Sequence, residues 1–337
     1  MKKERDVGKW WSLFFAVVML ACLGMFLVAP FVTDSAGNRI WWLPPEMSTH
    51  AGEVDFLFYV ILYITGFFFI LTEAILVVFM FKYAGHPGPA KAPATPTGPN
   101  VFQKMFPFIS NQHRLEMAWT IVPAAILLYI AFAQVPTWLR IKDRSKTPTF
   151  GGEKVPIQVE VSARQFEWRV RYPSSARLEN WLKKEGDQDF KNFGAFHNAK
   201  PRYPDIDDVH VVNEVHLWKG QTLLIHLNTL DVIHSFNIPY MRVKQDALPG
   251  KTIPLWFTPV KANTRYDAES KRWVDGINVE TGEPDPHHYR WEIACAELCG
   301  WGHHRMIGRV YVHETKKDFL DWLKNEEAKN RPPRKKK

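Results

Sequence analysis

"CAELCGWGHHRM" (295–306) gathers two cysteines, two histidines and a methionine into a dozen positions, in a chain of 337 residues whose only other cysteine is Cys22. The residues on either side decide what this stretch is. "HYRWEIACA" (288–296) and "GRVYVHE" (308–314) alternate apolar and polar side chains and are rich in aromatic and β-branched residues, which predicts a strand on each side and a loop between.

The same pattern extends outward. "VPIQVEVSARQFEWRVRYP" (155–173), "EVHLWKGQTLLIHLNTLD" (214–231, two strands around Lys219–Gly220) and "KTIPLWFTPV" (251–260) read as short strands bounded by Gly/Pro turns. Such a series, with little helical signal, predicts an all-β sandwich or barrel. Two charged stretches, 174–209 and 261–287, read as long surface loops, and "TKKDFLDWLKNEEAKN" (315–330) as a closing helix capped by Thr315.

The front of the chain differs. "WWSLFFAVVMLACLGMFLVAPFV" (10–32), "FLFYVILYITGFFFILTEAILVVFMF" (56–81) and "MAWTIVPAAILLYIAFAQVPTWL" (117–139) each reach the roughly 20 apolar residues that a helix needs to cross a bilayer. Lysine dominates the N-terminus, and the link after the second run carries Lys82, Lys91, Lys104 and Arg114 with no acid before Glu116. The link after the first run carries Asp34, Glu46, Glu53 and Asp55 against Arg39. The positive-inside rule then places the N-terminus and the lysine-bearing link inside and the β-rich half outside. The first run also suits a signal peptide, with "MLAC" faintly like a lipoprotein cleavage box at Cys22. Its length and the lack of a small-x-small site predict a retained helix. The net charge of +8 is spent on this topology and on the solvated tail "RPPRKKK", and no nucleic-acid motif or internal repeat is present. Residues 84–100 are Pro/Gly/Ala-rich and read as a flexible inner link.

Chemistry narrows the reading of the loop. A Cys295–Cys299 disulfide suits an oxidising outer compartment but leaves His303 and Met306 unexplained. Structural zinc prefers closer cysteines and has little use for a thioether. Thiolate, imidazole and thioether together suit copper. A late loop supplying Cys, His and Met calls for one more histidine from an upstream strand, and His234 in "LDVIHSFNIP" (230–239) is so placed. The second thiol is what a second copper would need. His303, four residues after Cys299, fits better than its neighbour His304. His210, His216, His226 and His313 read as ordinary core or surface residues.

With these residues assembled, the sequence resembles the cytochrome c oxidase subunit II family. Cys295, Glu297, Cys299, Gly300, His303 and Met306 match its binuclear copper (CuA) loop, "DVIHSF" (231–236) its upstream ligand motif, "VKQDALPGK" (243–251) its Lys-x-Asp-x-x-Pro-Gly segment, and "RLEMAWTIVPAAIL" (114–127) the start of its last membrane helix. The resemblance implies a membrane α-helical hairpin, here with an extra N-terminal transmembrane helix, followed by an all-β cupredoxin-like domain, a Greek-key sandwich or barrel, on the periplasmic face of a bacterial inner membrane. It parses the chain into an inner N-terminus (1–9), a transmembrane helix or uncleaved signal (10–32), an outer loop (33–55), a helix (56–82), an inner link (83–115), a helix (116–140), the outer domain (141–314), and a helix with basic tail (315–337). It further implies that Cys295 and Cys299 bridge two coppers, that His234 and His303 bind one each, and that Met306 ligates one and the Glu297 carbonyl the other. The Glu297 carboxylate would reach a Mg or Mn site shared with subunit I. Electrons would come from cytochrome c or a membrane-associated donor and pass to haem in subunit I, where O2 is reduced with proton pumping. Glu116 matches an acid at the entrance of an inner proton pathway.

The sequence also departs from that family. The aromatic stretch for electron input usually begins with Trp, and "RQFEWRVRYP" puts Phe166 there, followed by Trp168; both are expected near the donor surface. No Cys-x-x-Cys-His is present, so no c-type haem is fused. Glu73, inside the second span, marks a functional position without a family role. A quinol-oxidase subunit II would keep the fold without the copper ligands, and a copper-storage protein would need neither Glu297 nor the helix-start motif.

Overall fold

The computed structural model of the chain describes residues 2–33, 39, 41–83, 112–142, 156–183 and 207–330. The inner link 84–100, residues 184–206 of the first charged stretch and the basic tail lie outside the described residues. The chain divides into two compact units, one of Met1–Val32 and Phe56–Pro136, the other of Thr33–Asp55 and Thr137–Lys337.

The apolar runs form α1 (Lys2–Val28, continued by a 3-10 turn at Ala29–Phe31), α2 (Ala51–Tyr83) and α3 (Gln112–Lys142), which supply three spans long and apolar enough to cross a membrane: Trp10–Phe31, Ala51–Lys82 and Glu116–Lys142. They are apolar all round, as lipid-facing helices are. Thr65 and Thr72 turn their hydroxyls back to the carbonyls of Ile61 and Phe68, at 2.8 and 2.9 Å, which satisfies polar groups that lipid cannot. α2 begins five residues before the apolar run. Glu53 and Asp55 do not stop it, because a carboxylate in the first turn, Glu53, complements the helix dipole and Asp55 is paired with Arg242.

The second unit is a sandwich of two five-stranded sheets. One has the order β3-β2-β1-β5-β8, built from β1 (Ile157–Arg164), β2 (Glu167–Tyr172), β3 (Val209–Val212), β5 (Leu223–Thr229) and β8 (Ile253–Phe257). The other has the order β4-β12-β11-β6-β7, built from β4 (Glu214–Trp218), β6 (His234–Ile238), β7 (Val243–Ala247), β11 (Trp291–Cys295) and β12 (Ile307–His313). β1/β5 and β4/β12 pair in parallel and the remaining pairs of the two sheets run antiparallel, so the chain crosses repeatedly between sheets in Greek-key fashion. β4 and β5 flank the predicted turn yet belong to different sheets. Inward-facing Val159, Val161, Trp168, Val170, Leu217, Ile225, Phe236, Trp291, Ile293 and Val310 interdigitate between the layers and are buried.

Both charged stretches contain regular structure. The first holds α4 (Ser175–Lys183), which buries Leu178 and Leu182. The second holds the hairpin β9 (Arg265–Asp267) and β10 (Arg272–Val274), then the single turn α5 (Pro286–Tyr289). The closing helix α6 (Lys316–Asn330) is capped as expected, with the Asp318 N–H donating to Thr315 Oγ1 at 3.1 Å, and it buries Phe319, Trp322 and Leu323. Within this unit the outer loop is also pinned. Met47 exchanges backbone bonds with Tyr240 and Val260, and Arg242 pairs with Asp55 at 2.6 Å.

Under α6 lie two histidines that sequence treats as ordinary. His216 and His313 are buried, their rings 3.1 Å apart between Nδ1 and Nε2, with Trp322 stacked on His216 at 3.7 Å. Burial holds both well below the usual imidazole range, and for His313 the neighbouring His216 adds to it. The unfolded chain therefore binds protons below pH ~6.5 that the folded chain refuses, so each histidine erodes stability by up to about 1.4 kcal/mol per pH unit as pH falls from there toward its folded value. The melting midpoint should drop on acidification through this window, and His313→Gln should flatten that drop relative to the parent chain, as read by calorimetry at stepped pH.

Candidate metal centre

The strand register brings the sulfur-rich loop to His234. β11 pairs antiparallel with β6, opposing Cys295 to Phe236 and Ala294 to Asn237. The loop is tied at both ends: Ala296 N–H donates to Ser235 O at 2.9 Å and Cys295 N–H to Met306 O at 3.2 Å. His234 thus opens β6 instead of ending β5, and it stands in the same sheet as the strands that flank the loop.

The side chains form one connected cluster. Cys295 Sγ lies 3.8 Å from His234 Nδ1, 3.8 Å from Cys299 Sγ and 3.2 Å from the Glu297 carbonyl oxygen. Cys299 Sγ lies 3.6 Å from His303 Nδ1 and 3.9 Å from Met306 Sδ. Both cysteines are free thiols, so no disulfide joins them. The ligand atoms of His234, Cys295 and Cys299 fall within 4.8 Å of one another, a group able to hold a metal ion. His234 and Met306 are each 0 % exposed. His303 is half-buried against the cluster and His304 is exposed, as their spacing suggested. Glu297 turns its carbonyl toward Cys295 while its side chain stays exposed.

Sequence reasoning missed the supports. Asp231 Oδ1 sits 2.8 Å from His234 Nε2, which fixes the proton on Nε2 and leaves the Nδ1 lone pair facing the sulfurs. Burial pushes the Asp231 carboxyl up. Hydrogen bonds from the Gln165 N–H, His234 and the Val232 N–H outweigh that and hold it below the usual carboxylate range. Gln165 also donates its side-chain amide to Cys299 O at 2.6 Å, linking the β1–β2 turn to the loop. The only sequence signal was an acid three residues before His234. Burial, and then the neighbouring Cys295, push the Cys299 thiol up to about 11, so a metal binding there displaces a proton.

The aromatic candidates separate. Trp168 is 0 % exposed and packs on Phe236 and His234 at 5.1 and 6.2 Å, which makes it core and removes it from any donor surface. Phe166 is partly buried against the backbone of Gly300 and Gly302. A Cβ on Gly302 would meet the Phe166 ring at 2.4 Å, so only glycine allows this approach. Glu116 and Glu73 lie in the helical unit, on α3 and α2.

Fold and site together define a membrane-spanning protein with a β-sandwich domain that carries a sulfur–imidazole cluster on a loop between two strands. The sequence profile of the cytochrome c oxidase subunit II transmembrane domain matches residues 38–136, and that of the subunit II periplasmic domain matches residues 158–273. The chain belongs to the cytochrome c oxidase subunit II family and is a membrane-bound component of an oxidase. It is 24% identical over 293 residues to the alternative cytochrome c oxidase subunit 2 of Bradyrhizobium diazoefficiens, covering 86% of this chain and 84% of that one. It is likewise 24% identical over 319 residues to the cytochrome c oxidase subunit 2 of Thermostichus vulcanus, covering 90% and 84%. The periplasmic domain of subunit II of cytochrome oxidase from Bradyrhizobium japonicum superposes with a TM-score of 0.33 at 18% identity, over 52% of this chain and 96% of that domain.

Proposed function

We propose that this chain is the electron-input subunit of a terminal cytochrome c oxidase. In this reading His234, Cys295, Cys299, His303, Met306 and the Glu297 carbonyl hold a binuclear copper (CuA) centre. The observation that carries it is the continuous cluster of donors around two thiols 3.8 Å apart. The donors fit the group: soft sulfur and imidazole suit copper, and five side chains plus a carbonyl exceed what one copper of this kind uses. The copper pair, when bound, supplies a one-electron acceptor and donor whose charge change is spread over two thiolates. The protein's own part is to orient and to exclude water. Asp231 sets the His234 tautomer, Trp168 and Phe236 wall the buried imidazole, Phe166 covers the loop backbone, and the paired strands keep the ligands in place.

Electrons would arrive from a cytochrome c-type donor at the outer face of a bacterial inner membrane and leave to haem in subunit I, where O2 is reduced to water with proton pumping. The exposed Glu297 carboxylate is free to reach a Mg or Mn site shared with subunit I, and Glu116, at the start of the α3 span, would serve the inner proton pathway. In rapid mixing of the purified oxidase with reduced cytochrome c, a copper absorption band should change before subunit I haem is reduced. Haem reduction with no preceding copper phase would contradict the assignment.

Asp231→Asn keeps the shape of the support but removes the negative charge behind the His234 imidazole and sets an amide NH2 against the Gln165 N–H that donates to Oδ2. Disturbing such an outer partner should weaken copper binding by about 10–100-fold, read by competition with a copper chelator on the full chain.

A further inference from the structure

We infer that Trp301, carried on Phe166, is the contact through which a c-type cytochrome docks and passes its electron. The inference rests on the copper reading above and assigns a residue that reading leaves open. Trp301 is two residues from Cys299 and 78% exposed, and its ring meets the Phe166 ring edge-on at 5.2 Å. Phe166 in turn lies against Gly300 and Gly302 in the backbone between Cys299 and His303. A path of touching aromatic and backbone atoms therefore runs from solvent to the ligand loop. Trp168 cannot serve, being sealed in the core.

The surroundings of Trp301 suit a protein partner. Arg305 lies over the Trp301 ring at 5.9 Å, and Trp and Arg are both among the residue types enriched at positions that dominate binding. Leu298 (78% exposed) and Ile307 (43%) extend the apolar surface on the same loop, and Leu230, Val232 and Ile233 extend it just before His234. Isolated exposed apolar residues need no explanation, but a group flanking a candidate redox site marks an interaction surface. The charges on these elements balance: Arg164, Arg169 and Arg305 stand against Glu167, Asp231 and Glu297. The surface has no excess of acid to steer a basic donor. It fits a cytochrome that docks through the apolar rim of its exposed haem edge, with weak dependence on salt.

The test uses the assembled oxidase and reduced soluble cytochrome c as the probe. Three quantities are read for each variant: the copper EPR signal, the dissociation constant of oxidised cytochrome c, and the second-order rate of copper reduction. Trp301→Ala should leave the EPR signal unchanged while weakening binding and slowing reduction at least about thirtyfold, the smallest loss expected of a dominant interface residue. Trp301→Phe should fall between the two, and Val212→Ala, an exposed apolar residue on β3, should behave as the parent. Raising ionic strength from about 10 to about 100 mM, which shortens the Debye length from ~30 to ~10 Å, should change the rate less than about threefold. Parental binding and rate in Trp301→Ala, or a parent oxidase that the probe does not reduce, overturns the inference. Absence of a two-copper signal in the parent removes the copper reading itself, and the inference falls with it.

Discussion

Cys299→Ser should abolish the paired copper signal and reduce electron input from cytochrome c to background. Cys299 touches Cys295, His303 and Met306, so its sulfur is the node through which half of the cluster connects. A serine hydroxyl is a hard donor that does not bridge two coppers as a thiolate does. The loss should exceed the roughly 10–100-fold that follows from disturbing an outer partner such as Asp231. The fold should survive, since the loop ends remain tied through Cys295 N–H to Met306 O and Ala296 N–H to Ser235 O. Cys22→Ser gives the control, because Cys22 is exposed on α1 in the other unit. Metal analysis of the two variants beside the parent chain reads the result.

Trp168→Ala should be the most destabilising single change at the site. The side chain is fully buried, edge-on to Phe236 and against His234. Truncating a buried tryptophan costs about 3–5 kcal/mol, a large part of the roughly 5–15 kcal/mol that holds a domain folded. The cavity would open beside His234, so copper retention should fall together with the unfolding midpoint. Phe166→Ala, at the partly buried rim, should cost less stability. Denaturant unfolding of both variants separates the core role of Trp168 from the covering role of Phe166.

The contrast between these two aromatics shows where the sequence stops being readable. Phe166 and Trp168 are two apart, and strand alternation puts them on one face. The chain turns between β1 and β2 at residues 165–166, which breaks the alternation and leaves one ring half-buried at the rim and the other sealed in the core. The membrane spans and the sandwich were legible because runs of twenty apolar residues and repeated alternation are strong local signals. The loop's chemistry was legible because Cys295 to Met306 are contiguous. Asp231 and Gln165 were not, since their roles depend on a turn and a loop meeting across the fold. The hairpin β9–β10 has three-residue strands, too short for periodicity, and α4 is nine residues within a charged stretch, too short to show a sustained helical pattern. His216 and His313 were not legible either: alternation puts them on the face opposite Val215, Leu217 and Val312, and they are buried because Trp322 of α6 packs against them there, with their mutual contact joining β4 to β12 across a parallel pairing.

The most direct test of the central claim is copper stoichiometry with low-temperature EPR on the purified full chain, loaded with copper under mild reductant. Two coppers per chain sharing one unpaired electron, with hyperfine splitting from two equivalent nuclei, is the predicted result. A single copper with one-nucleus splitting, or a Cys295–Cys299 disulfide found by mass spectrometry in the native oxidase, would contradict the account.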